Sequence, residues 1–392
     1  MQDVVIVGAG RSAIGAFNGA LSGLSATAIA SELVPQVLDA FKIERDCVDE
    51  VIMGQVLSAG CGQNPARQVC INSGLDQSTP AFTVNKVCGS GLKAIQLGAH
   101  SILAGDNSLV IAGGMESMSQ APHILPHSRY GQKIGHWEAL DTMITDGLWD
   151  AFNGIHMGVT AENLASKYSI SREAQDLFAT KSQQKAAAAQ SNSKFKDEIF
   201  PINVPQKRRE DLLFRVDEAI RPETSLEALA HLNPVFQENG TVTAGNASGI
   251  NDGAAVVILC SSARAVELGL KPMATIKAFG LSGVDPAFMG IGPVAAVRRC
   301  LARANWQVRD LDLIEANEAF ATQAIVVNQE LGWDTDTVNV NGGAIALGHP
   351  IGASGCRILV TLLYEMVKRD STHGIATLCI GGGQGIALAI ER

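Results

Sequence analysis

The sequence has no surplus of positive charge, no long apolar run and no paired-cysteine motif, and each absence removes a class of function. Thirty Lys and Arg stand against 39 Asp and Glu, a net charge of −9. That argues against a general nucleic-acid binder. No apolar stretch reaches the roughly 18 residues of a membrane span. The start, Met1-Gln2-Asp3, lacks a basic segment, and Val4 to Val7 is too short for the apolar core of a signal peptide. The eight cysteines are Cys47, Cys61, Cys70, Cys88, Cys260, Cys300, Cys356 and Cys379. They form no CxxC pair and no metal-ligand spacing with histidine, so no metal is expected. A cytoplasmic protein with reduced thiols fits this pattern. Most of these thiols read as small buried apolar side chains, and only their flanks separate structure from chemistry. Disorder is excluded by a 46% hydrophobic and 18% charged composition.

What the chain does have is glycine, 40 of 392 residues, against a norm of about 7%. The glycines cluster, which points to tight turns around a ligand. Short apolar runs alternate with amphipathic stretches. Val4-Val5-Ile6-Val7, Val51-Ile52-Met53 and Leu109-Val110-Ile111-Ala112 read as buried strands. Thr27 to Phe41, Pro65 to Ser73 and Ser90 to Leu103 read as helices. The alternation predicts α/β layers.

The order repeats. Asp49 to Gly54 resembles Asp312 to Asn317, 263 positions later. Val84-Asn85-Lys86-Val87-Cys88 resembles Val338-Asn339-Val340-Asn341, which leads to His349, 261 positions after Cys88. Ile111-Ala112-Gly113-Gly114 pairs with Cys379-Ile380-Gly381-Gly382, 268 positions on. Three motifs in one order at nearly one spacing suggest a duplicated unit. Cys88 and His349 would then face one cleft near a pseudo-two-fold axis. The halves are expected over residues 1–118 plus 250–270 and over 271–392. Residues 119–249 do not fit the repeat and read as an insertion. Within it, Ser171 to Gln190 predicts one long helix with Ser171 as its N-cap, and Lys207-Arg208-Arg209-Glu210 an exposed charged turn.

Several motifs carry candidate chemistry. Gly8-Ala9-Gly10-Arg11-Ser12-Ala13 fits a dinucleotide-binding pattern, with Glu32 near the place of a ribose-binding acid. However, the first convincing helix starts only near Ser25, too far on to cradle a pyrophosphate. A structural strand–loop turn is the favoured reading. Cys88 lies before Gly89-Ser90-Gly91 at a strand-to-helix junction, where the positive end of the helix dipole favours thiolate. Taken alone, a Gly-flanked cysteine is more often structural. His349 is the one titratable side chain in the Gly-rich run 342–355, a natural proton acceptor for a nucleophilic cysteine or a cap on a Gly-rich turn. Cys379 is a second Gly-flanked thiol. A Claisen condensation needs both an acyl carrier and a base for the α-proton, together with two oxyanion holes. Backbone N–H groups of Gly-rich turns suit one hole, and the Asn317 amide suits the other. Glu315 and Glu318 read as solvated helix charges.

Together these residues resemble the thiolase family, and the resemblance runs from Val4 to Arg392. Asn85-Lys86-Val87-Cys88-Gly89-Ser90-Gly91 resembles its nucleophile motif, Asn317-Glu318-Ala319-Phe320 its N-E-A-F motif, Gly348-His349-Pro350 its G-H-P motif, and Cys379-Ile380-Gly381-Gly382-Gly383 its C-x-G-G-G motif. The resemblance implies a layered α-β-α-β-α fold of two similar halves with an inserted loop domain. It implies that Cys88 is acylated, that His349 activates it, and that Cys379 deprotonates the incoming acetyl-CoA. Asn317 would hold a water that completes the enolate hole with His349, and the N–H groups of Cys88 and Gly381 would form the other hole. Leu148, His156, Met157, Arg221, Ser248, Ala319 and Phe320 fall at positions that would line coenzyme A or the acyl end, with Arg221 by the nucleotide. Residues 121–142 resemble a tetramerisation loop, which implies a homotetramer. The pattern around Asp146-Gly147-Leu148-Trp149 and His156-Met157-Gly158 is more similar to the short-chain members. The implied reaction converts two acetyl-CoA into acetoacetyl-CoA and CoA, reversibly, with coenzyme A as substrate and product and no resident cofactor. The rivals are a broad-range 3-ketoacyl-CoA thiolase, a ketoacyl synthase and a non-catalytic acyl-CoA-binding relative. One departure stands out: the family usually reads R-T-P-I-G where this chain has Arg11-Ser12-Ala13-Ile14-Gly15, so a rigidifying proline is missing.

Overall fold

The computed structural model describes residues 3–207 and 210–392. Met1, Gln2, Arg208 and Arg209 lie outside the described residues, so the charged turn at 207–210 is only partly covered. Runs of Val, Ile and Ala bounded by Gly form the main strands: β1 (Val4–Arg11), β2 (Glu50–Gly54), β3 (Ala81–Val84), β4 (Leu109–Ser117), β5 (Asn251–Ser261), β6 (Ala274–Gly283), β7 (Leu313–Ala316), β8 (His373–Ile380) and β9 (Gln384–Glu391). Every residue of β1, β4 and β5 is buried, so these strands are covered on both faces. The sheet order is β7-β8-β9-β6-β1-β5-β4-β2-β3, with Gly15–Ala16 added to β5. The β2–β3, β2–β4 and β7–β8 pairs are parallel. At the centre, β1 and β6 share only Val5–Thr275 and Ile6–Ala274, and the sheet divides there into two halves.

The main helices are α1 (Ala26–Ala40), α2 (Pro65–Asn72), α3 (Ser90–Ala104), α4 (Met157–Tyr168), α5 (Arg172–Ser191), α6 (Gly292–Ala304), α7 (Ala321–Leu331) and α8 (Ser354–Arg369). Their apolar faces define the layers. Leu33 and Val37 of α1 and Val69 of α2 pack on one side of the first half-sheet with Val51, Ile111 and Val256. Leu92 and Ile95 of α3 and Leu359 and Leu362 of α8 fill the space between the half-sheets, against Ala112, Val257, Leu378 and Ile386. Val297 and Leu301 of α6 and Val327 of α7 cover the far face. The result is the expected α-β-α-β-α stack, and the repeat is real. Helices α3 and α8 begin 264 positions apart, as do β4 and β8. A parallel bridge of Ile314 to Val338 in the second half echoes the β2–β3 pairing in the first.

The glycine pattern at the N-terminus is structural. Gly8 and Gly10 lie inside β1, and α1 starts after Ser25, whose hydroxyl accepts from the Ala28 N–H. Glu32 accepts from the Asn203 N–H and serves no ribose site. The segment that lacks the family's proline is tied down at Arg11. Its guanidinium is fully buried and ion-paired with Glu198 at 2.7 Å and Asp217 at 2.7 Å, while Asp217 also accepts from the Ile14 N–H. The segment between β4 and β5 carries the predicted long helix as α5, capped by Ser171. No helix among the described residues is long and apolar enough to cross a membrane.

The two central helices cross at their first turns. A Cβ on Gly91 would lie 2.6 Å from the Cys356 nitrogen, and one on Gly355 would lie 2.6 Å from the Leu92 nitrogen. Backbone cannot give way as a flexible side chain can, so Gly91→Ala or Gly355→Ala should lower stability by about 1–3 kcal/mol. Thermal unfolding checks this; an unchanged Tm in both variants would contradict the packing.

Candidate active site

Cys88 is set by a tight turn after β3. Asn85 Oδ1 accepts from the Val87 N–H at 2.9 Å, and Ser90 Oγ accepts from the Lys86 N–H at 2.8 Å and donates to the Val87 carbonyl at 2.6 Å. These bonds hold Val87 at φ 47°, a left-handed conformation that a β-branched residue rarely adopts. The strain sets Cys88 just before the N-terminus of α3. Sequence reasoning found the junction but not the strain; Asn85 and Ser90 were the legible signal.

His349 is held from both sides. Its backbone N–H donates to Asn251 Oδ1 at 2.9 Å, and Asn251 Nδ2 anchors to the Gly15 carbonyl. Its ring Nδ1 lies 2.5 Å from Ser354 Oγ. Its Nε2 is buried without a protein partner. The following loop is pinned by Glu116, a buried carboxylate that accepts from the N–H groups of Val56, Leu57 and Gly352 at 2.9–3.1 Å. Asn251, Ser354 and Glu116 were missed in the sequence, because a polar residue inside an apolar run gives no sign of its distant partner.

Cys379 is the penultimate residue of β8, and Gly381 opens the β8–β9 turn. Cys88, His349, Cys379 and Gly381 line one cavity of about 420 Å³. The duplication thus brings the two thiols and the imidazole together. Asn317 is not on the cavity wall; its side-chain oxygen and nitrogen are buried without partners. Glu315 and Glu318 are a correction. Both are buried, not solvated. Glu315 stands 3.5 Å from Arg357, and Glu318 accepts from Ser182, Asn339 and the Ile345 N–H. They lie at the end of a buried strand and in the turn after it, not on an exposed helix.

Burial governs the electrostatics. It pushes the Cys88 thiol up to about 11, against the N–H groups of Gly381 and of Cys88 itself, which pull it down. Desolvation thus opposes the pull of the helix dipole and leaves the thiol above its ordinary value. Cys379 is pushed further up, by burial and then by Cys88 beside it. His349 falls to about 3, through burial first and Arg357 second. The resting site therefore holds two thiols and a neutral imidazole.

The description "Thiolase, N-terminal domain" matches residues 4–263, and "Thiolase, C-terminal domain" matches 270–392. This chain belongs to the thiolase family. The acetyl-CoA acetyltransferase of Thiocystis violacea is 61% identical over 389 residues, covering 99% of each chain. The crystal structure of the Bacillus anthracis acetyl-CoA acetyltransferase superposes with a TM-score of 0.98 at 43% identity, covering 100% of this chain and 99% of the other. Human mitochondrial 3-ketoacyl-CoA thiolase superposes with a TM-score of 0.96 at 42% identity, with the same coverage.

In this thiolase, Leu148, His156, Met157, Ser248, Ala319 and Phe320 all line the cavity. A π-helical turn at Met143–Leu148 delivers Leu148. His156 caps α4 by accepting from the Gly158 N–H at 3.0 Å and stacks on Phe236. The Ser248 N–H donates to the Ala319 carbonyl, tying the 244–249 loop to the N-E-A-F segment. Arg221 does not reach the cavity; it is exposed at the surface. Phe236, Met289 and Phe17 line the cavity and were not singled out from the sequence.

The low pKa of His349 predicts a pH effect on stability. Between its unfolded value of 6.5 and about 3, the unfolded chain binds a proton that the native ring does not. Stability therefore falls as pH falls through that window, by up to about 1.4 kcal/mol per pH unit from this group. His349→Gln should lose Tm less steeply than the parent between pH 6 and 4.5. Equal slopes would mean that His349 is not held neutral.

Proposed function

We propose that this thiolase is an acetyl-CoA C-acetyltransferase, which condenses two acetyl-CoA into acetoacetyl-CoA and CoA and runs the reverse cleavage. The observation that carries this reading is the convergence of the buried Cys379 thiol, the half-buried Cys88 thiol and a neutral imidazole on one apolar cavity. Full-length relatives with that activity in their names support it.

The chemistry follows from the protonation states. His349 Nε2 takes the Cys88 proton, and the thiolate attacks the acetyl carbonyl carbon. The N–H groups of Cys88 and Gly381 stabilise the oxyanion. As the C–S bond to CoA breaks, the protonated Cys379 gives its proton to the leaving sulfur. Acetyl-Cys88, a Cys379 thiolate and a His349 imidazolium remain. That thiolate then takes the α-proton of a second acetyl-CoA. The imidazolium, with a water on the unpaired Asn317 amide, holds the enolate oxygen. The enolate carbon attacks acetyl-Cys88, and the departing Cys88 sulfur recovers the His349 proton. Every group returns to its starting state, and no resident cofactor enters the cycle.

Met157 sets the chain length in this reading. It is buried at the cavity wall, and its sulfur lies 3.3 Å from where a Cβ on Gly381 would stand. The acyl end is closed there. The likeness to human 3-ketoacyl-CoA thiolase favours a broader range, and a rate series separates the two. The kcat/KM for a 3-ketoacyl-CoA should fall at least about tenfold once the chain exceeds four to six carbons. Comparable values for acetoacetyl-CoA and a long-chain substrate would move the protein to the degradative class. Arg221, exposed and off the cavity wall, is assigned to the nucleotide end.

The exposed loop at 121–142 presents Ile124, Leu125, Tyr130, Ile134 and Trp137 to solvent, with Ile134 at 91% exposure. Such a patch calls for a partner, and we assign it to a homotetramer acting in fatty acid metabolism. Eight free cysteines favour the reducing cytoplasm.

Cys379→Ser should split the half-reactions. Cys88 acylation should persist, slowed, while condensation and exchange of acetyl-CoA methyl protons with deuterated water fall by roughly 10²–10⁴-fold. Near-normal condensation would make Cys379 a structural thiol.

A further inference from the structure

Ser354 is the first residue of α8 and is 1% exposed. Its hydroxyl makes two contacts: it donates to the Pro350 carbonyl at 2.9 Å and lies 2.5 Å from His349 Nδ1. A serine hydroxyl carries one hydrogen. If that hydrogen is committed to Pro350, the only hydrogen available between Ser354 and His349 is on the ring. The His349 backbone is fixed independently by Asn251, and among the described residues the buried ring has Ser354 as its one hydrogen-bond partner. Its other nitrogen, Nε2, is buried, has no protein partner and belongs to a side chain that lines the cavity with Cys88.

We propose that Ser354 is a positioning residue that selects the His349 tautomer: Nδ1 carries the proton, held by Ser354 Oγ, and Nε2 presents its lone pair to Cys88. The inference rests on the reading of His349 as the proton acceptor for Cys88, and it names the group that makes this possible. A neutral imidazole with the proton on Nε2 cannot accept from a thiol at that atom. Without an acceptor at Nδ1, that wrong tautomer gains ground, because a buried N–H with no partner is costly. The Pro350–Ser354 hydrogen bond belongs to the turn that leads into the helix carrying Ser354. The fold itself therefore orients the hydroxyl, with no need for a charged third residue. The same Nδ1–H bond persists when His349 is protonated, which leaves the Nε2–H free to face substrate.

The test is nitrogen-15 NMR of histidine-labelled enzyme, with the His349 resonances assigned by loss in His349→Gln. At neutral pH the protein should show a protonated Nδ1 and an unprotonated Nε2. Ser354→Ala should raise the population of the opposite tautomer. It should also slow single-turnover acetylation of Cys88 about ten- to a hundredfold, with the KM for acetyl-CoA changed less than about twofold. A parent spectrum with the proton on Nε2 would overturn the proposal without any variant. So would Ser354→Ala that acetylates Cys88 at the parent rate. If the parent enzyme itself never acetylates Cys88, the functional reading fails, while the tautomer measurement still stands or falls on its own.

Discussion

The active site depends on the close crossing of α3 and α8. Gly91 and Gly355 let the two backbones touch at their first turns, and each helix is preceded by one reactive side chain. Cys88 stands two residues before α3 and His349 five before α8. Moving the helices apart by the width of a methyl group would separate these two groups. The β4 and β8 strands bind the same crossing from outside: Gly114 packs on the Gly352 carbonyl, and Ile380 packs on Gly89. Cys379 follows from that register. The duplication therefore does more than repeat a fold; it brings Cys88 of the first half to His349 and Cys379 of the second at a shared cavity.

Desolvation then decides what these groups are at rest. A rise of the Cys88 thiol from 9.0 to about 11 corresponds to about 3 kcal/mol. A helix N-terminus contributes only ~0.3–1 kcal/mol in most settings. The cavity accordingly holds its thiols protonated until a substrate arrives, which protects two neighbouring sulfurs from needless reaction. Activation must come from a base that stays neutral in the same apolar surroundings. A buried imidazole meets that requirement, because burial lowers its pKa while raising those of the thiols.

Much of this was legible in the sequence. Helix α5 announced itself through Ser171 and its alanine run, and β1, β2 and β4 through their short apolar runs. The spacing between Cys88 and His349 exposed the duplication, and the glycines around them marked the site. What stayed hidden depended on distance in the chain. Nothing near Glu315 or Glu318 revealed Arg357 or Ser182 as partners, so two buried carboxylates looked like surface charges. Arg11 seemed to lack the support of a proline, while its stiffening came from Glu198 and Asp217 across the insertion. Val87 carries strain that no propensity would place there. The upward pull of desolvation on Cys88 was not legible, because a dipole can be read from local sequence, whereas burial is a property of the whole fold.

The central claim is that Cys88 carries the acyl group. Incubation of the intact enzyme with acetyl-CoA, acid quenching and mass analysis of the peptides tests it most directly. The account predicts one added acetyl group on the peptide that contains Cys88. A stable acetyl group on the Cys379 peptide, with Cys88 unmodified, would contradict it.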